Sequence, residues 1–208
     1  MNKILITALF FCCCSLFVNG QETKRKMAYS GFSGGMMLHL GYVQSSTFTF
    51  TNLVSQFSET MRLQGLAFGL GGQAKVHFGK HLRMGTEGYF SKHKYKNGSY
   101  VSVGWGGVLA DCAWKIKKFT VFTGGTVGGG SQQNLTIFTE QKNDYIIDET
   151  TSYRNYGFMC IVPFAGFEFA MSKSIYLVFK TDYMINVSNP QDDFITGPRF
   201  YVGFTFFR

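Results

Sequence analysis

Proline and cysteine are scarce in this chain, and each scarcity closes off a class of fold. Only 3 of 208 residues are proline, and no Pro/Ser-rich or charged low-complexity stretch divides the chain, so one domain is expected. Of 5 cysteines, Cys12, Cys13 and Cys14 fall within the first 20 residues. The remaining pair, Cys112 and Cys160, is too few for the disulfide framework that holds small secreted domains together. Long apolar runs are also missing beyond Val18: no stretch approaches the roughly 18 to 20 residues that a membrane helix needs. A chain that crosses a membrane under these conditions crosses it as strands.

The first 20 residues have their own logic. Lys3 forms a short basic start, Ile4 to Val18 is apolar, and Val18-Asn19-Gly20 has the small or β-branched residues of a cleavage site. This is the pattern of a secretory signal peptide over residues 1–20, with export through the Sec pathway and a mature chain from Gln21 to Arg208. Acylation at Cys12, Cys13 or Cys14 is disfavoured, because no small residue precedes any of them in the required frame. The net charge of +8 would suit a nucleic acid, but an exported chain does not meet one.

What the sequence has in plenty is aromatic residues and glycine, 23 Phe, 11 Tyr and 25 Gly, with the glycines interleaved among apolar residues. Such composition favours strands with small side chains on one face. Phe32, Gly34, Met36, Leu38, Leu40 and Tyr42 alternate with Ser33, Gly35, Met37, His39 and Gly41. Leu66, Phe68, Leu70, Gly72, Ala74, Val76 and Phe78 likewise alternate with Gly65, Ala67, Gly69, Gly71, Gln73, Lys75 and His77, and Leu82 to Ser91 repeats the division. Further strands are expected at Tyr100 to Trp114, Phe119 to Gly128, Gly157 to Ala170, Ile175 to Met184 and Arg199 to Phe207, eight in all. In the fourth, Val108, Ala110, Cys112 and Trp114 point to one phase and Val101, Val103 and Trp105 to the other. A bulge at Gly104, Gly106 and Gly107 would reconcile them.

Connections alternate in length. Gly79-Lys80-His81, Ile116-Lys117-Lys118 and Met171 to Ser174 are short; Val43 to Met61, Lys92 to Ser99, Ser131 to Tyr156 and Ile185 to Pro198 are longer. Short turns at one end and long loops at the other are the habit of a membrane barrel, and strands of this length exceed the soluble mode. Phe78, Trp114, Phe119, Phe169 and Phe206 mark one rim, and Tyr42, Phe90 and Tyr183 the other. The fold class expected is therefore all-β, an eight-stranded antiparallel up-and-down transmembrane barrel with a polar interior filled by side chains. A soluble lipocalin-like binder of small hydrophobic ligands has the same strand count but wants its bulky apolar face inside. Glycine and charge suit a narrow lumen better.

The run from Arg199 to Arg208, with Phe204, Phe206 and Phe207 near its end, resembles the terminal strand of outer-membrane barrels, which the barrel assembly machinery reads through a final aromatic; here Arg208 follows it. The chain from Gln21 onward resembles the small eight-stranded OmpA-anchor and OmpX-like barrels. That resemblance implies a monomer in contact with outer-membrane lipid and lipopolysaccharide, and it names no activity.

Candidate site residues fall into two groups. Lys75, Arg83, Glu87, Asp111, Glu168, Lys180, Asp182 and Arg199 share the inward phase, four of each sign, and are expected to form a structural charge network closing the lumen. In the third loop Glu140, Asp144, Tyr145, Ile146, Ile147, Asp148 and Glu149 form an acidic segment with an apolar strip, a contact surface for an extracellular partner. Ser91-Lys92-His93 places two reactive side chains on one strand face, but it lacks an orienting acid and reverses the His-before-Ser order of lipid A deacylase barrels. A lipid-modifying enzyme is thus the alternative to a non-enzymatic surface protein. His39, His77 and His81 have no metal-site spacing, so no metal or other cofactor is expected. Gly124 to Gly130 lacks the Lys-Ser/Thr ending of a phosphate loop. Lys24-Arg25-Lys26, Lys80, Lys115, Lys117, Lys118 and Lys173 gather at the end of the short turns.

Overall fold

The protein is described by a computed structural model over residues 28–51, 58–95, 98–142, 145–188 and 191–208. The expected signal segment with Cys12, Cys13 and Cys14, and Lys24-Arg25-Lys26, lie outside the described residues, as does Asp144. Strands run Tyr29–Thr51 (β1), Ser58–Phe78 (β2), Leu82–Lys94 (β3), Tyr100–Ile116 (β4), Phe119–Lys142 (β5), Tyr145–Ala170 (β6), Ile175–Tyr183 (β7), Ile185–Asn186 (β8) and Pro198–Phe207 (β9). β8 continues β7 past Met184, since both pair with β6.

Eight long strands pair in sequence, all antiparallel, and the ring closes where β1 meets β9, from Ser33↔Phe207 to Gly41↔Arg199. Closure leaves no unpaired edge through the body of the barrel, which is what lets strands stand in lipid without orphaned amides. The turns at 79–81, 117–118 and 171–174 lie at one end, together with the start of β1 and the end of β9. Gly79 takes φ +61° in the first of these turns, a conformation open to glycine, and Lys117 takes φ 57° in the second.

Alternation assigns the faces. Met36, Leu38, Phe68, Val108, Val127, Met159, Phe200 and Phe206 are all exposed, whereas Lys75, Arg83, Glu87, Asp111, Lys180 and Arg199 are buried. From Phe32 to Tyr42 on β1, Leu66 to Phe78 on β2, Leu82 to Phe90 on β3, Val108 to Trp114 on β4, Phe119 to Val127 on β5, Gly157 to Phe169 on β6, Ile175 to Tyr183 on β7 and Phe200 to Phe206 on β9, the outward phase carries no charged residue. On β1 that band spans the eleven residues 32–42, which on a tilted strand gives an apolar belt about 25 Å tall.

Two expectations need correction. β4 needs no bulge: its register against β3 and β5 is unbroken from Tyr100 to Ile116, and Val101, Val103, Trp105 and Leu109 are all buried inside. The apolar residues near its start follow the inward phase because they belong to a buried apolar cluster inside the barrel, where Trp105 meets Tyr89 at 5.5 Å. Likewise, the described parts of Val43 to Met61 and Ser131 to Tyr156, expected as long loops, are paired strand for most of their length. β1 pairs with β2 as far as Thr51↔Ser58, and β5 with β6 as far as Lys142↔Tyr145. Both are hairpins that continue beyond the apolar belt.

Inward glycines allow the wall to curl. Gly107 of β4 and Gly128 of β5 face each other in register. A Cβ on Gly128 would stand 2.1 Å from the Gly106 carbonyl oxygen, and one on Gly107 2.4 Å from that of Val127.

Candidate functional site

All eight inward charged residues lie inside the barrel, and they pair in layers. Nearest the short-turn end, Lys75 Nζ donates to Asp111 Oδ2 at 2.8 Å, Arg83 Nε to Asp111 Oδ1 at 2.5 Å, and Arg83 Nη1 to Glu168 Oε1 at 2.7 Å. Above them Lys180 donates to Glu87 Oε2, and Thr126 Oγ1 donates to Glu87 Oε1 at 2.5 Å. Higher again, Arg199 Nε donates to Asp182 Oδ1 at 2.7 Å, between neighbouring strands.

Aromatic faces fill the space between these layers. Lys75 Nζ sits 4.8 Å from the Phe122 ring centre, and Lys180 Nζ lies 4.6 Å from Phe164 and 4.9 Å from Tyr201. The Arg199 guanidinium lies 4.8 Å from the Trp105 ring. Rings give buried cations electrostatic compensation without competing for their carboxylates. Burying these charges costs several kcal/mol each unless they are paired, and here each has a carboxylate partner. The interior is therefore polar in its bridged layers and aromatic between them, and Glu87 of β3 meets Lys180 of β7 across the bore.

At the opposite end from the short turns a second cluster appears, one the sequence did not disclose. The segment 191–197 folds inward as a strap: Asp193, Phe194 and Ile195 are all buried. Asp193 is its hub. Asn134 Nδ2 donates to Asp193 Oδ2 at 2.7 Å, the Tyr156 hydroxyl to Oδ1 at 3.2 Å, and Arg154 Nη1 lies 3.1 Å from Oδ2. Gln132 Nε2 donates to the Asp193 carbonyl at 2.8 Å, and the Ile195 amide donates back to Gln132 Oε1 at 3.2 Å. Phe194 packs on Phe158 with ring centres 4.9 Å apart, and two backbone bonds join Gln44 and Thr196. The available signal was parity: Gln132 and Asn134 continue the inward phase of Thr126, Gly128 and Gly130 past the expected end of that strand.

The remaining candidates sit apart. Ser91 is buried on the inner face, while the His93 ring donates through Nδ1 to the Leu66 carbonyl at 2.7 Å and meets Tyr95 edge-on. His39 stands between Tyr89 and Tyr201, His77 shares a 2.7 Å hydrogen bond with Ser33, and His81 Nδ1 donates to the Ala113 carbonyl at 2.9 Å. Cys112 and Cys160 are not joined in a disulfide. Of the acidic loop segment, Glu140 lies on β5 and Tyr145, Ile146, Ile147, Asp148 and Glu149 on β6, opposite one another in the hairpin; their side chains and Asp144 lie outside what is described.

No protein-family model matches the sequence, and no curated protein does. Solved structures do match. Neisserial surface protein A is similar with a TM-score of 0.54 at 11% identity, over 86% of this chain and 98% of its own. The outer membrane protein OprG from Pseudomonas aeruginosa gives 0.49 at 10% identity, over 86% and 97%. Ail, the attachment invasion locus protein of Yersinia pestis, gives 0.42 at 12% identity, over 86% and 99%. The first of these carries the likeness, which at such identity is one of fold. The fold is that of the small eight-stranded outer-membrane β-barrels.

Proposed function

We propose that this chain is a non-enzymatic outer-membrane protein, exported through the Sec pathway with removal of residues 1–20, whose barrel anchors surface hairpins that contact an extracellular partner. The observation that carries the reading is the geometry of the β5–β6 hairpin. Its pairing continues to Lys142↔Tyr145, although β4 leaves β5 at Leu135 and β8 leaves β6 at Cys160. A paired hairpin standing clear of the belt is a preorganised arm, and an ordered arm binds with less entropy lost than a mobile loop. The bridged lumen supports an anchor over a conduit. The charge-free outward belt supports lipid and lipopolysaccharide as its surroundings, and the closed ring supports a monomer, with the C-terminal strand β9 offered to the assembly machinery. The eight interior charges have a structural role in this reading.

Replacing residues 138–150 with a two-residue turn tests it. The shortened protein is expected to fold, seen as the usual shift in gel mobility between unheated and boiled samples, and to lose cell adhesion and partner capture. Unaltered adhesion would remove the arm from the account. Altered acylation of lipid A in cells with and without the protein would replace the anchor with an enzyme.

A further inference from the structure

The end of the barrel carrying the short turns holds a cavity of about 210 Å³, lined by Ser33, His77, Lys80, Arg83, Lys115 and Glu168 together with the hydroxyls of Thr120, Tyr176 and Thr205. Part of its wall is apolar, from Leu82, Ala113 and Phe207, and its charged groups are mostly cations. Arg83, Lys80 and Lys115 are cations, Thr120, Tyr176 and Thr205 carry hydroxyls, and Glu168 is already held through Oε1 by Arg83 Nη1. The network of Lys75, Arg83, Asp111 and Glu168 is neutral in sum, so Lys80 and Lys115 leave the mouth with a surplus of positive charge. Lys117, Lys118 and Lys173 on the neighbouring turns add to the same field.

A second observation comes from Arg83 itself. Its Nε is taken by Asp111 and its Nη1 by Glu168, yet Nη2 is buried with no hydrogen-bond partner among the described residues. A buried guanidinium donor left unmade is costly, and a multivalent acceptor at the cavity floor removes that cost. The cavity is blind, because the Lys180–Glu87 bridge lies above it.

We propose that this mouth is a binding site for a phosphate-type oxyanion, held by Lys80 and Lys115 at the rim and Arg83 at the floor. A tetrahedral oxyanion presents acceptors in several directions, which suits donors arriving from a ring of strands. The compartment the mouth faces rests on the membrane reading above, but the site does not, since it is built within the strand ends.

The test uses the whole mature protein, folded in a phosphate-free detergent, titrated with inorganic phosphate at ionic strength held constant with chloride. Saturable binding is expected, followed by calorimetry or by shifts of the His77 and His81 ring resonances. The double variant Lys80→Ala/Lys115→Ala, both exposed, should weaken binding about tenfold or more, as loss of a single charge-assisted contact of roughly 1.5 kcal/mol would. Lys117→Ala/Lys118→Ala removes equal charge outside the cavity and should change affinity by less than about threefold. No saturable binding, or equal losses from both double variants, would overturn the site in favour of diffuse charge attraction. Repeating the titration in nanodiscs of phosphatidylglycerol separates the sources: retained affinity assigns a soluble phosphate, and competition by the bilayer assigns a lipid headgroup. Failure here leaves the adhesion test of the β5–β6 arm untouched.

Discussion

Lys180 of β7 and Glu87 of β3 form an ion pair across the diameter of the barrel, on strands that are opposite members of the ring of eight. Both side chains are fully buried, and Thr126 from β5 closes on the same carboxylate. A contact spanning the bore ties together walls that the hydrogen-bonded sheet links only the long way round. It also puts side chains where a channel would run.

The first prediction concerns this pair. Glu87→Ala leaves the Lys180 ammonium buried and unpaired and should destabilise the barrel by about 3–5 kcal/mol, read as a lower urea midpoint for loss of the folded gel band. Replacing both partners together, as Glu87→Leu with Lys180→Met, should cost far less, because no uncompensated charge remains. Equal losses from the single and double variants would show that the pair is not coupled.

A second prediction tests wall curvature. Gly128→Ala places a methyl group against the Gly106 carbonyl and should destabilise by about 1–3 kcal/mol by forcing β4 and β5 apart. Ala110→Gly, on the outward face of the same strand pair, is the control and should cost no more than about 1 kcal/mol.

The strap gives a third. Asp193→Ala removes the acceptor shared by Asn134, Tyr156 and Arg154, so hydrogen exchange at the Phe194, Ile195 and Thr196 amides should speed up by about 10- to 100-fold. Amides of β7 and β9 within the belt should keep their protection. If they also lose it, the strap is part of the barrel's cooperative core and not a locally held cover.

Depth in the membrane supplies a fourth. Leu38→Arg, in the middle of the outward belt, should cost about 2–4 kcal/mol, while Thr49→Arg, exposed on the projecting part of β1, should cost under about 1 kcal/mol. The comparison is made by equilibrium unfolding from lipid vesicles.

Much of this was legible because lipid and lumen impose opposite demands on alternate residues. Where β1 and β2 lie in the belt, one parity is mostly large and apolar and the other mostly small or polar, so the period of two survives exceptions such as Gly34 outside and Met37 inside. The eight inward charges could be named from parity alone, although which carboxylate meets which cation depends on ring position: Glu87 and Lys180 are 93 residues apart. The signal failed where its cause fails. Beyond the belt the outward face of β1 and β5 meets water and the inward face is buried against polar groups, so Ser45 to Thr49 or Ser131 to Asn134 show no apolar parity although backbone pairing continues. On β4 the signal misled, because Val101, Val103 and Trp105 belong to an apolar cluster inside the lumen. The strap was invisible since Asp193 acquires its donors only through the fold.

The central claim is that the bulky apolar phase of the strands faces lipid and the small, charged phase faces a closed lumen. Its most direct test is a nitroxide scan of β1 from Phe32 to Tyr42 in lipid vesicles, on a Cys112→Ser/Cys160→Ala background, reading collision with oxygen against collision with a water-soluble nickel chelate. Oxygen contact is predicted to peak at Phe32, Gly34, Met36, Leu38, Leu40 and Tyr42, with both quenchers weak at the positions between them. Peaks on Ser33, Gly35, Met37 and His39, or no alternation together with release of the protein into aqueous buffer, would contradict it.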